Sequence, residues 1–273
     1  MNELNIVQLR KEQLPAEISV EAYSIIGNRK TQQDYAGVLA EPDRVLAVLC
    51  DGMGGLSGGE RASREAANTL LKDYQTKRPF GDFADFLCRE AVRMDAKVYG
   101  LKAADGNRLD AGTTIVSVVV GRDGTAEWMS VGDSRIYLLR GDDLKQLTRD
   151  QNYRTFLETS LRNGEITREH FDRESKGRMA EALTSYLGIG NIKKIGRSRR
   201  QIALKPGDQL LLCSDGLYKS LSSDQIKAML TDNQIDARVS AKRLVDMALA
   251  KAVKKQDNTT VVLIQYYGGK MEE

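Results

Sequence analysis

Two kinds of segment alternate in blocks along this chain. Short runs rich in β-branched residues, separated by turn residues, predict strands at 20–26, 45–50, 113–120, 126–131, 136–139, 209–213 and 259–266. Apolar residues spaced three and four apart predict a pair of helices between the second and third strands and another pair before the last strand. This order predicts an α+β fold with helices packed outside antiparallel sheets.

Local signals refine this prediction. Ser57-Gly58-Gly59-Glu60 and Ser222-Ser223-Asp224-Gln225 have the pattern of a capping box, which starts a helix. The turn at Asp123-Gly124 and the polar residues 140–143 predict that 113–148 forms successive hairpins, an antiparallel meander. The polar segment 149–190 predicts short helices. It is either a mobile flap or an ordinary helical excursion over a sheet edge.

Composition excludes several classes of protein. The 41 Lys and Arg nearly balance the 38 Asp and Glu, so charge gives no support to nucleic-acid binding. The single histidine, His170, is predicted to be an exposed residue without a catalytic role. Cys50, Cys88 and Cys213 form no Cys-x-x-Cys pair, which argues against a disulfide framework and a thiolate zinc site and agrees with a reducing cytoplasm.

Hydropathy indicates a soluble protein. The N-terminus lacks the apolar region of a signal peptide, and no apolar run is long enough to span a bilayer. We therefore expect a soluble, cytoplasmic chain, monomeric and without a membrane or nucleic-acid partner. Residues 1–273 are predicted to form one domain with its core in about 20–267.

Four aspartates lie at the ends of predicted strands, namely Asp51, Asp133, Asp215 and Asp257. Carboxylate oxygens without histidine or cysteine suit Mg²⁺ or Mn²⁺ better than zinc. Asp-Gly is also a common turn dipeptide, so Asp51 or Asp215 taken alone is equally compatible with a plain turn. Only the set of aspartates indicates a metal site.

The motifs around these aspartates follow one another in a characteristic order. They are Gly27-Asn28-Arg29 with Asp34, Asp51-Gly52-Met53-Gly54-Gly55 with Gly59-Glu60, Gly112-Thr113-Thr114, Val131-Gly132-Asp133-Ser134-Arg135, Leu147-Thr148 with Asp150, Ala182-Leu183-Thr184 with Leu187-Gly188, Cys213-Ser214-Asp215-Gly216-Leu217, and Asp257-Asn258. In motif types and order the chain resembles the metal-dependent protein phosphatase family, also called protein phosphatase type 2C, in its bacterial form. Each motif is weak alone, but eight in the family's order argue against coincidence.

The resemblance implies a four-layer α-β-β-α sandwich, with two stacked antiparallel sheets flanked by helix pairs. It implies a Mn²⁺- or Mg²⁺-dependent enzyme that hydrolyses phosphoserine and phosphothreonine in proteins through a metal-bridged hydroxide. Two metal ions, or three, are implied for each chain. The partners implied are phosphorylated proteins and a Ser/Thr kinase whose signalling the enzyme opposes.

The resemblance also assigns roles to individual residues. By similarity, Asp51 bridges two metal ions, Gly52 contributes its backbone carbonyl, and Asp215 and Asp257 complete the ligand shell of one metal. Asp34 holds metal-bound waters, and Asp133 shares a third metal with Asp215. Arg29 binds the phosphate. A guanidinium suits that last role because its planar fork can contact two phosphate oxygens.

Several positions depart from the family pattern. Gln32-Gln33 stand where Asn-Glu often precedes the first aspartate, Met53 replaces a histidine of eukaryotic members, and Gln151 replaces a common histidine. Gln33 leaves open a catalytically weak or dead phosphoprotein-binding protein. A phosphatase of a small phosphorylated metabolite is also left open. The basic stretch 193–200 is interpreted as a solvated surface, with a docking patch for acidic or phosphorylated partners as the alternative.

Overall fold

The fold is described from a computed structural model for residues 6–7, 14–54, 58–77, 79, 81–232, 237–251 and 255–268. The strands are β1 Ile6–Val7, β2 Ile18–Ile25, β3 Asp34–Glu41, β4 Arg44–Gly54, β5 Ala111–Thr113, β6 Ile115–Gly121, β7 Thr125–Val131, β8 Arg135–Arg140, β9 Asp143–Gln146, β10 Gly196–Arg197, β11 Ile202–Ala203, β12 Gln209–Cys213 and β13 Thr259–Tyr266. The helices are α1 Gly58–Lys77, α2 Phe83–Tyr99, α3 Tyr153–Arg162, α4 Arg168–Glu174, α5 Asp215–Tyr218, α6 Ser223–Leu230 and α7 Ala237–Lys251, with a 3₁₀ helix at Arg178–Glu181.

The strands form two sheets. The larger sheet has the order β1-β3-β4-β6-β7-β10, with β5 paired to β4 and β11 paired to β7. The smaller sheet has the order β2-β13-β12-β8-β9. Among the described strands, every pairing is antiparallel except that of β1 with β3. The predicted antiparallel sheets are therefore confirmed, with one short parallel strand added at an edge.

Alternation of side chains along each strand builds three apolar layers. On β4, Val45, Ala47 and Leu49 face the smaller sheet, whereas Leu46 and Val48 pack with α1 and α2. On β12 and β13, alternate residues pack in the same way with β4 and β6 on one side and with α5, α6 and α7 on the other. Successive side chains of a strand point to opposite faces, so a central strand buried on both faces reads as a continuous apolar run. The predicted α-β-β-α sandwich is confirmed.

The two hairpins predicted within 113–148 are confirmed, but the continuous antiparallel meander is wrong. β6 pairs with β7 in the larger sheet and β8 pairs with β9 in the smaller one, so the chain crosses between sheets at 132–134. Gly132 adopts φ +98°, and a Cβ there would lie 2.6 Å from Thr114 Cγ2. The tight crossing needs this glycine because an L side chain is disfavoured at such a φ and would also clash. The crossing leaves Asp133 between the two sheets.

Strand β3 was not predicted from the sequence. Its residues, Asp-Tyr-Ala-Gly-Val-Leu-Ala-Glu, include few β-branched side chains and a glycine. The strand forms because it pairs with β4 over its whole length and because α1 packs on it, with Leu71 Cδ1 only 2.7 Å from where a Cβ of Gly37 would be. Tertiary contacts here outweigh the weak local propensity.

Two helix predictions can be compared with the structure. The capping box at Ser222 is confirmed, since Ser222 Oγ accepts from the Gln225 amide and Gln225 Oε1 accepts from the Ser222 amide. The capping box predicted at Ser57 begins outside the described residues. The segment 149–190 contains α3, α4 and the 3₁₀ helix, as predicted, while its role as a flap stays a prediction. Within the described ranges, no helix is long and apolar enough to cross a membrane.

Candidate metal and phosphate site

Strand ends from both sheets bring the five predicted aspartates together. Asp34 begins β3 directly opposite Asp51 of β4, and Asp133 lies at the crossing from the larger to the smaller sheet. Asp215 follows β12 at the start of α5, and Asp257 lies just before β13. Burial raises the pKa of Asp51 well above its usual value, and the negative charges of the other four aspartates add to the effect. The structure therefore unites residues separated by more than 200 positions in the sequence.

Two of these carboxylates are deeply buried. Asp34 is 2% exposed, and its Oδ2 accepts a hydrogen bond of 2.7 Å from Ser214 Oγ, whereas its Oδ1 has no hydrogen-bond partner among the described residues. Burial raises the pKa of Asp34 to about 7, with the charges of Asp215 and Asp257 adding to the effect. Burial and the charge of Asp215 raise the pKa of Asp133 to about 6. These shifts follow from burial of the carboxyl groups and from the negative charge of their neighbours.

The threonines of the Gly112-Thr113-Thr114 motif hold the backbone of Asp51. Thr114 Oγ1 accepts from the Asp51 amide at 3.0 Å, and Thr113 Oγ1 donates to the Asp51 carbonyl at 2.9 Å. Thr114 Oγ1 also lies 2.7 Å from Ser134 Oγ, next to Asp133. These hydroxyls therefore connect the strand end that carries Asp51 to the crossing that carries Asp133.

Gly52 lies where three segments of backbone meet. A Cβ on Gly52 would lie 2.1 Å from the carbonyl oxygen of Gly59 in α1 and 2.7 Å from that of Gln33. The Gly52 amide donates to the Gln33 carbonyl at 3.0 Å. Only glycine allows backbone to approach this closely, so the motif's glycine is a steric requirement.

Asn258 and Asn28 fix the loop that precedes β3. The side chain of Asn258 accepts from the Gln33 amide and donates to the carbonyls of Ile26 and Thr31. Asn28 and Gln256 exchange two hydrogen bonds of 2.8 Å, from the Asn28 amide to the Gln256 carbonyl and from the Gln256 amide to Asn28 Oδ1. The loop that bears Arg29 is thereby fastened to the segment that bears Asp257.

Two cations pair with the cluster. Arg29 Nη2 donates to Asp257 Oδ2 at 2.5 Å, and Lys219 Nζ donates to Asp215 Oδ2 at 2.6 Å. Lys219 Nζ also lies 3.8 Å from a carboxylate oxygen of Glu181 in the 3₁₀ helix of segment 149–190. Sequence reasoning missed Lys219, although its position four residues after Asp215, the spacing of helical ion pairs, was a usable signal.

The departures from the family pattern have structural roles. Gln33 Nε2 donates to the Gly54 carbonyl at 3.2 Å, a hydrogen bond that a carboxylate could not donate. Gln151 is buried, and its side-chain Oε1 accepts from the Gly132 amide at 3.1 Å. The backbone amide of Gln151 donates to the Gly132 carbonyl at 2.9 Å. Gln151 therefore supports the crossing beside Asp133.

The only histidine lies outside this cluster. His170 belongs to α4, is partly buried and has its Nδ1 3.1 Å from Arg173 Nη2. The prediction that it is an exposed residue is thus only partly correct. Cys50 and Cys213 are buried within apolar layers, and burial raises the pKa of the Cys213 thiol to about 12. Neither thiol is therefore available as a soft ligand for a metal ion held by the aspartates.

The donor set fits hard divalent cations. Within the described residues, no three acidic, histidine or cysteine side chains converge closely enough to form a ligand set around one point. The five aspartates nevertheless offer only oxygen, Asp34 Oδ1 is buried without a partner, and raised pKa values mark unneutralised negative charge. Mg²⁺ and Mn²⁺ satisfy all three conditions because they prefer carboxylate oxygens and supply positive charge.

A cleft of about 840 Å³ opens beside the aspartates. It is lined by Arg29, Lys30 and Lys255 together with Asp257, Gln33 and Gly54. The Arg29 side chain is 59% exposed despite its ion pair, so the guanidinium remains accessible to a ligand. Three cations beside the aspartate cluster favour an anionic ligand.

Comparisons with known proteins agree with this geometry. Residues 23–254 match the family described as Protein phosphatase 2C. The serine/threonine phosphatase stp of Listeria welshimeri is 27% identical over 241 residues, covering 87% of this chain and 91% of that protein. The serine/threonine protein phosphatase PstP of Mycobacterium tuberculosis is 30% identical over 237 residues, covering 84% of this chain and 40% of that protein.

Solved structures give the same result. The serine/threonine phosphatase of S. agalactiae superposes with a TM-score of 0.76 at 26% identity, covering 91% of this chain and 99% of that one. The catalytic domain of the serine threonine protein phosphatase PstP, in complex with two manganese ions, superposes with a TM-score of 0.71 at 29% identity, covering 91% and 97%.

Proposed function

The chain belongs to the protein phosphatase 2C family and is a phosphatase, and we propose that it removes phosphate from serine and threonine side chains of proteins. The observation that carries this proposal is the cluster of five aspartates beside the cleft that contains Arg29. Relatives with matching lengths are named serine/threonine phosphatases. A Ser/Thr kinase acting on the same cytoplasmic proteins would produce the substrate.

The proposed cofactor is Mn²⁺ or Mg²⁺, because the donor set is all oxygen. The residues that would hold it are Asp51, Asp133, Asp215 and Asp257, together with the Gly52 carbonyl and Asp34. Bound divalent ions lower the pKa of water and neutralise phosphate oxygens. The manganese-bound structure of the PstP catalytic domain supports the choice of metal.

The residues of the chain have separate tasks in this proposal. Arg29 binds the non-bridging oxygens of the phosphate, since its loop is fastened by Asn28 and its side chain is accessible. Ser214 fixes the orientation of Asp34 by donating to Oδ2, and Oδ1 has no hydrogen-bond partner among the described residues. Thr113 and Thr114 hold Asp51 in place.

Replacement of Arg29 tests the phosphate-binding role. Arg29→Ala is expected to raise KM for a phosphothreonine peptide about 10- to 100-fold, because a charge-assisted contact is worth about 1.5–3 kcal/mol. Arg29→Lys should recover part of this loss, because an ammonium keeps the charge and lacks the planar fork. Steady-state kinetics with Mn²⁺ measure both variants, and Arg168→Ala on exposed α4 is the control. A fall in kcat with unchanged KM would contradict the role.

Hydrolysis of a phosphothreonine peptide by the purified chain tests the function itself. We expect turnover with Mn²⁺, none with EDTA, and a loss of at least about a thousandfold in Asp215→Ala, because transition-state charge then lacks its metal support. Manganese binding is measured in parallel by calorimetry. Metal binding without turnover, together with retained affinity for the phosphopeptide, would indicate a binding protein. Turnover confined to small phosphorylated metabolites would overturn the protein substrate.

A further inference from the structure

A second cationic surface, separate from the cleft beside Arg29, lies at the edge of the larger sheet. A groove of about 690 Å³ is lined by five cations, Arg149, Lys194, Arg197, Arg199 and Arg200, over the indole of Trp128. All five cationic side chains are exposed, whereas Trp128 is 8% exposed. No aspartate or glutamate lines this basic groove within the described part of the chain.

A bulge in the edge strand presents two of the arginines. Arg197 pairs with Met129 and Ile202 pairs with Ala126, so four residues of the outer segment, 198–201, oppose only two residues of β7. Ser198 anchors the bulge, because its amide donates to the Trp128 carbonyl at 3.0 Å and its Oγ accepts from the Trp128 amide at 3.2 Å. The surplus residues leave the ladder and carry Arg199 and Arg200. Bulges that redirect side chains in this way recur next to functional sites.

The positive charge of the groove is largely unneutralised. Lys194, Arg199 and Arg200 form no ion pair with any residue that the structure describes. The nearest carboxylate oxygen to Arg197 is that of Asp85 at 3.6 Å, and Arg149 bonds only to the hydroxyl of Thr159. Because the whole chain has a net charge of only +3, this is a local concentration of cations. Such a concentration attracts and orients an acidic ligand.

The groove adjoins the proposed active site. Gln151 is one of its lining residues, and the same side chain accepts from the amide of Gly132, the residue before Asp133. The backbone crossing that carries Asp133 is therefore supported from the groove.

We propose that the basic groove docks a segment rich in Asp and Glu on the phosphorylated protein substrate, away from the phosphorylated residue. This inference rests on the proposed function and deepens it by naming the class of substrate. The planar guanidinium group of arginine pairs well with carboxylates. Several exposed contacts of this kind select binding partners mainly by charge. A nucleic acid fits less well, because Trp128 is too buried to stack with a base and the chain as a whole is barely basic.

Paired peptide substrates test the proposal with the full chain. One phosphothreonine peptide carries a run of Asp and Glu, and its match carries Asn and Gln at the same positions. We expect the wild-type protein to have a lower KM for the acidic peptide, and Arg199→Gln/Arg200→Gln to raise that KM about five- to twentyfold while leaving the neutral peptide within about twofold. The control Lys72→Gln/Lys251→Gln removes the same charge from exposed residues of α1 and α7 and should change neither KM.

A binding measurement separates this proposal from the phosphatase function. Fluorescence anisotropy with the labelled acidic peptide lacking phosphate should show binding that Arg199→Gln/Arg200→Gln weakens by a similar factor, whether or not any phosphopeptide is hydrolysed. If the acidic peptide binds in this way but no phosphopeptide is hydrolysed, the result counts against the phosphatase function and not against the docking groove. The docking groove would be overturned if the wild-type protein had equal KM values for both peptides. It would also be overturned if the double variant raised KM equally for both peptides, or if the control variant raised KM for the acidic peptide by the same factor. Binding of single-stranded RNA but not of the acidic peptide would also overturn it.

Discussion

Asp51→Asn is expected to lower kcat/KM for a phosphothreonine peptide at least about a thousandfold, and to make the metal-free protein more stable. Activity falls because the amide removes the charge that would hold two metal ions, on which stabilisation of the transition state depends. Stability rises because the charges of four other aspartates and partial burial raise the pKa of Asp51, so its ionised form is disfavoured in the folded state.

The sign of this effect depends on pH. A carboxyl whose pKa is higher in the folded than in the unfolded protein lowers stability as pH rises through the folded-state pKa. In EDTA, Asp51→Asn should therefore raise Tm by about 2–4 °C at pH 8, which corresponds to about 1 kcal/mol for a chain of this size. The gain should be smaller at pH 5, where the wild-type carboxyl is more often protonated.

Calorimetry in EDTA at both pH values and kinetics in Mn²⁺ measure the two effects of Asp51→Asn. Asp142→Asn is the control, because Asp142 is exposed and forms no ion pair among the described residues. It should change neither activity nor Tm appreciably. A lower Tm for Asp51→Asn in EDTA at pH 8 would contradict the electrostatic account, and retention of a tenth of the activity would contradict the metal-bridging role.

Gly52→Ala is expected to have the largest effect on stability, about 3 kcal/mol or more, together with a loss of at least about a hundredfold in kcat/KM. A Cβ would lie 2.1 Å from the Gly59 carbonyl oxygen and 2.7 Å from that of Gln33. Both obstructing atoms are backbone, so relief requires α1 or the loop before β3 to move away. Either movement displaces Asp51, the neighbouring residue.

Urea denaturation and peptide kinetics measure the effect of Gly52→Ala. Gly177→Ala is the matched control, because Gly177 has φ −79° and its nearest neighbour to an added Cβ is 3.5 Å away. The control should stay within about 0.5 kcal/mol of the wild-type free energy of unfolding. A Gly52→Ala protein as stable as this control would show that the close approach of the three segments is not required.

Local sequence patterns predicted the strands that have strong intrinsic preferences. Strands 209–213 and 259–266 were predicted with the bounds that the structure has, because each is a short run of mainly apolar residues that is largely buried on both faces. Strand β3 was missed because its residues have weak β propensity, and the strand forms through pairing with β4 and β1 and packing against α1. The sheet change at Gly132 was missed because a hairpin and a crossing between sheets use the same turn residues.

The five aspartates and Arg29 were all identified from the sequence, because the motifs that surround them are local and stand in a recognisable order. Asn28, Asn258 and Ser214 received no role, because their partners lie on other segments of the chain, whereas Lys219 was missed although its partner Asp215 lies only four residues before it. The sequence by itself determined the residue types of the site and the apolar periodicity of the four layers. Only the tertiary structure decided which side chains neutralise one another, which backbone atoms come into contact and where the basic groove lies. These properties depend on distances between segments far apart in sequence, which no local pattern encodes.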